Sequence, residues 1–192
     1  DKYFYTLEDA ISAAGTDGDV VEVTEDLFIE DDPAGEVFGA APYTTQANDV
    51  VINGTSTVTV GDNIADGSYS GNTNYLIGFD GNTAITIEDL TFNDTNGALK
   101  GAIINPDSGI AEDGLTISGT TYEGFAGTTV LDLNDATNDI SNVTVTDNVF
   151  NVGDTDVIDL NADLNGDASG DVEFLNVSGN DLTFDSASNG AT

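Results

Sequence analysis

The sequence contains no cysteine, histidine, arginine, methionine or tryptophan, and its only basic residues are Lys2 and Lys100. Each absence removes a class of chemistry. Without cysteine there is no disulfide to indicate a redox compartment. Without histidine or cysteine, Ser-His-Asp and Cys-His nucleophilic catalysis cannot be assembled, and zinc sites of the usual kind are excluded. No apolar run approaches the length of a membrane span, and we expect that no signal peptide remains on a processed chain. The lack of methionine leads us to expect a processed or excised N-terminus. That in turn suggests a mature secreted or surface chain, or one piece of a larger one. A cytoplasmic protein of a salt-accumulating organism is the plainer alternative.

Positive charge is nearly missing as well. With 36 acidic residues against two lysines, the formal net charge is −34. Nucleic acid and anionic membrane surfaces are repelled by such a chain at modest salt. Self-repulsion also opposes compaction, so the native medium should supply screening ions or bound cations. Sea water, brine or a calcium-rich surface would serve. The chain is nevertheless 39% hydrophobic, which separates it from disordered acidic tails, and 192 residues suffice for one domain with a sizeable core.

What is present is a repeat. The stretches Ile85 to Phe92 (ITIEDLTF), Leu115 to Tyr122 (LTISGTTY), Val143 to Phe150 (VTVTDNVF) and Leu175 to Leu182 (LNVSGNDL) align with one another. Each has two apolar residues flanking a polar one, then a polar turn, then a large apolar residue in the eighth place. Offsets of about thirty residues suit one turn of a wide solenoid. After each of the first three comes a second apolar segment: AIIN (Ala102 to Asn105), VLDLN (Val130 to Asn134) and VIDLN (Val157 to Asn161). The expected alignment stacks Ile104, Leu133 and Leu160, and beside them Asn105, Asn134 and Asn161. An Asn column can hydrogen-bond up the stack and to turn backbone. Phe92, Tyr122 and Phe150, continued by Leu182, form the expected core column.

The N-terminal part is less regular. Thr6 as N-cap, the spacing of Leu7, Ala10, Ile11 and Ala14, and the stop at Gly15 predict a short amphipathic helix over about Leu7 to Ala14. Short strands follow at Val20 to Val23, Leu27 to Ile29, Val50 to Ile52, Val58 to Val60 and Tyr75 to Phe79, separated by Gly, Asn, Asp and Thr. Residues 33–48 and 62–74 are expected to be loops. The whole is one domain, with 1–19 as a cap, 20–184 as coils and 185–192 as a tail or open end.

The opening YTLEDAISAAGTDGDVVEV, the Asn column and the stacked aromatics resemble the right-handed parallel β-helix proteins of the pectate-lyase-like superfamily. Adhesin-like surface β-helices have a similar texture. The resemblance implies an all-β solenoid with a short N-terminal capping helix, and it spans nearly the whole chain. It does not select an activity, because lyases, hydrolases, tailspikes and adhesins share this coil. An antiparallel β-sandwich is the competing architecture. The last coil would stop soon after Phe184 with no closing helix. That leaves an edge for further chain or for end-to-end self-association.

Candidate sites are few. Lyases of the resembled superfamily use an Arg or Lys base, and here only Lys100 is available, in the turn-like NGALKGA, where a solvated surface lysine is the simpler reading. Its hydrolases use paired aspartates with a His and an Arg-x-Lys element, which are missing. Acidic pairs such as Asp31 with Asp32 are commonplace in a chain this acidic. Oxygen-ligated calcium remains open. Asn161, Asp163, Asn165, Gly166, Asp167 and Ser169 occupy positions one, three, five, six, seven and nine of an EF-hand-type loop. Asn161 stands where Asp is usual, and Glu173 comes one residue late. A solvated turn explains the same residues. Asp132 and Asp159 share an outward place in neighbouring coils, where a cation or simple screening would relieve their repulsion. Outward Thr86, Thr116 and Thr144, with Asn176 next, form one column that could order water, although exposed strands favour threonine without any function. Tyr43, Tyr69 and Tyr75 could stack on sugars, or pack in the core. Asn53, Asn93, Asn142 and Asn176 begin glycosylation sequons, a number expected from composition.

The expected function is a non-enzymatic extracellular or cell-surface structural module. It would be an adhesin domain or filament subunit with an acidic, calcium-binding surface. The alternatives are a carbohydrate-active lyase or hydrolase and a glycan-binding module. No nucleic-acid partner and no membrane insertion are expected.

Overall fold

A computed structural model describes residues 2–4, 7–14, 19–29, 50–60, 75–78, 85–94, 101–104, 115–126, 129–132, 141–153, 155–159 and 173–184. Helix α1 (Leu7–Ala13) opens the fold, one residue shorter than the spacing predicts. Every later described element is a strand.

Each aligned stretch is a strand, a tight turn and a second strand. The first strands are β6 (Ile85–Glu88), β9 (Leu115–Ser118), β12 (Ser141–Thr146) and β15 (Glu173–Ser178). The second strands are β7 (Thr91–Asn93), β10 (Thr121–Glu123), β13 (Val149–Val152) and β16 (Asp181–Phe184). The same alternation begins earlier with β1 (Val20–Val23), β2 (Leu27–Ile29), β3 (Val50–Gly54) and β4 (Thr57–Val60). A third set follows the second strands: β5 (Tyr75–Gly78), β8 (Gly101–Ile104), β11 (Thr129–Asp132) and β14 (Asp156–Asp159).

Strands of one set pair with one another and not with their neighbours in the chain. The first sheet runs β1-β3-β6-β9-β12-β15, the second β2-β4-β7-β10-β13-β16, and the third β5-β8-β11-β14. All described pairings are parallel. This removes the sandwich alternative, whose sheets are antiparallel. Parallel pairing also explains the spacing of the repeat, because a strand cannot return to a parallel neighbour through a hairpin.

Alternation sends one set of side chains inward. In the first sheet Ile52, Ile87, Ile117 and Val145 stand in register, and all are fully buried. In the second, Val58, Phe92, Tyr122 and Phe150 do the same. Leu182 continues that column from β16. The aromatic column expected from sequence therefore exists. Tyr122 stacks on Phe150 at 4.9 Å between ring centres and on Phe92 at 5.7 Å, with Phe125 edge-on at 6.2 Å. Such contacts contribute about 0.5–1.5 kcal/mol per pair beyond area burial. Leu7, the first residue of α1, and Ala14, just after its last, join the same core.

The third sheet corrects one expected alignment. Ile103, Leu131 and Ile158 share a register, so Ile104 lies beside Asp132 and Asp159, and not beside Leu133. The connections β7–β8, β10–β11 and β13–β14 differ in length, so counting residues from the preceding strand does not carry the register across them. Asn105, Asn134 and Asn161 lie outside the described residues.

The turn between the first and second sheets has a rule of its own. Asp89, Gly119, Asp147 and Gly179 hold the same place in successive repeats, with φ of 59°, 61°, 57° and 70°. This left-handed conformation is tolerated by Asp and free of strain in Gly. The alternation is also spatial, because a Cβ on Gly119 would run into the Asp89 carboxylate, and one on Gly179 into that of Asp147. Placing Asp in every repeat would bring carboxylates to about the 4.8 Å strand spacing. We expect Gly119→Ala to destabilise by about 1–2 kcal/mol, with part of the loss recovered in the Gly119→Ala, Asp89→Ala pair, as read by denaturant midpoints.

Candidate functional site

Four features bear on function: an Asn clamp at the turn, an outward threonine column, an aspartate pair and an apolar end face.

The clamp sits one residue beyond the left-handed position. Asn148 is fully buried. Its Oδ1 accepts the Thr120 backbone N–H at 2.9 Å, and its Nδ2 donates to the Ile117 carbonyl at 3.0 Å. One repeat on, Asn180 Oδ1 accepts the Asn148 backbone N–H and its Nδ2, both at 3.0 Å. Asn180 Nδ2 donates to the Val145 carbonyl at 2.9 Å. Each carboxamide thus bridges to the repeat before it. Ser56 does a simpler version of this, donating to the Val23 carbonyl at 2.9 Å. Hydrogen bonding between stacked asparagines is therefore present at this corner, whereas the expected column of Asn105, Asn134 and Asn161 lies outside the described residues. The signal for this corner was available as the sixth place of VTVTDNVF and LNVSGNDL.

Thr86, Thr116, Thr144 and Asn176 share one register on the first sheet. The three threonines are half-buried and Asn176 is exposed. Ser178 Oγ donates to Asn176 Oδ1 at 3.0 Å. The threonine backbones are separated by the spacing of parallel strands, about 4.8 Å. On the second sheet Asn93 Nδ2 donates to Glu123 Oε2 at 3.5 Å, linking adjacent repeats.

Asp132 and Asp159 are register partners on β11 and β14, as expected. Like charges on neighbouring strands oppose pairing. Among the described residues no group of three or more acidic side chains is placed to hold a metal. Asn161, Asp163, Asn165, Asp167 and Ser169 lie outside the described residues, as do Lys100, Asp31, Asp32, Tyr43 and Tyr69. Tyr75 is the first residue of β5.

The end face is formed by β15 and β16. Leu175, Val177, Leu182 and Phe184 are 45–55% exposed, although each lies in register with a core residue of the preceding repeat. A groove of about 530 Å³ opens there, between Val177, Leu182 and Phe184 on one side and Val157 and Ile158 on the other.

Among the described residues no helix is long and apolar enough to cross a membrane. No protein-family model matches the chain, and comparison with curated proteins and with solved structures finds no significant match.

Proposed function

We propose that this chain is a structural rod: a right-handed parallel β-helix, closed at its N-terminal end by α1, that serves outside the cell as an adhesin domain or filament subunit. The observation that carries the reading is the continuity of the ladders. Among the described residues the first two sheets each hold six parallel strands and the third holds four, with in-register core columns. Load applied along the stack would be shared by many backbone hydrogen bonds and by the asparagine bridges between windings. The outward faces, with a net charge of −34 overall, would keep such a rod hydrated and repelled from other polyanions. The absence of histidine, cysteine and arginine from the sequence supports a mechanical over a catalytic role.

Imaging of purified protein at high concentration and native salt tests the filament version, which strictly monomeric particles would remove. Native-state hydrogen exchange tests the rod itself, with the amides of β6, β7, β9, β10, β12 and β13 expected among the slowest. Fast exchange throughout these strands would overturn it.

The medium is part of the proposal. Raising salt should raise the melting temperature by screening the acidic surface. Calcium should raise it further, through the 161–169 segment or the Asp132–Asp159 pair. A chelator should lower it more at low salt than in molar salt. Melting curves unchanged by calcium under both conditions would remove specific calcium sites from the proposal.

A further inference from the structure

We draw no further inference here: the strongest candidate, the outward hydroxyl patch of Thr116, Ser118, Thr144 and Thr146 on adjacent strands of the first sheet, carries nothing because threonine is favoured on paired strands without any function and nothing in the structure shows what covers this face.

Discussion

Tyr122→Phe is expected to raise stability by about 1–2 kcal/mol, and Tyr122→Ala to lower it by about 3–5 kcal/mol. Tyr122 is fully buried at the centre of the aromatic stack, and its hydroxyl has no hydrogen-bond partner among the described residues. Burying an unpaired hydroxyl costs on the order of 1–3 kcal/mol. Phenylalanine keeps the ring contacts with Phe92, Phe125 and Phe150 and removes that cost. Alanine removes the contacts and leaves a cavity where successive repeats meet. Chemical denaturation of the two variants checks both signs, and a destabilised Tyr122→Phe would show that the hydroxyl is satisfied in solution, for example by an ordered water.

The same residue predicts an alkaline effect. Desolvation pushes the Tyr122 phenol well above its ordinary value. In the unfolded chain it ionises near pH 10. The neutral buried phenol therefore contributes its full stability below that pH, and the contribution is lost as pH rises further. Wild-type stability should fall above about pH 10 more steeply than that of Tyr122→Phe. Because the sequence has six tyrosines, the difference between the two proteins is the informative quantity.

Asn148→Ala is expected to cost about 2–4 kcal/mol. The substitution leaves the Thr120 N–H and the Ile117 carbonyl without their partner in a fully buried turn. Asn148→Asp should be worse at neutral pH, because it replaces the two N–H donors with a buried negative charge. Asn180→Ala should cost roughly half as much as Asn148→Ala, because Asn180 is only half-buried. The direct Asn148–Asn180 bond at 3.0 Å predicts non-additivity in the double variant. Equal and additive losses would mean that the two carboxamides act locally and do not tie adjacent repeats together.

The sequence by itself determined the strands and their repeat, because a period-two pattern of apolar residues broken by Gly, Asn and Asp leaves little choice of local structure. It determined the aromatic column too, since Phe92, Tyr122 and Phe150 follow fixed-length turns from their preceding strands. It also excluded His-, Cys- and Arg-based chemistry outright. Tertiary pairing decided what lies beyond variable connections. The register of Ile104 with Asp132 could not be counted across loops of unequal length. The bridging asparagines could be recognised only once Thr120, Asn148 and Asn180 were stacked, because a carboxamide that bonds to the neighbouring winding looks locally like an ordinary turn residue. The left-handed Asp and Gly alternation and the exposed column ends at Leu182 and Phe184 are likewise properties of neighbours far apart in the chain. Local patterns set which segments are strands and which side chains face inward; only the pairing of one repeat with the next sets which atoms meet.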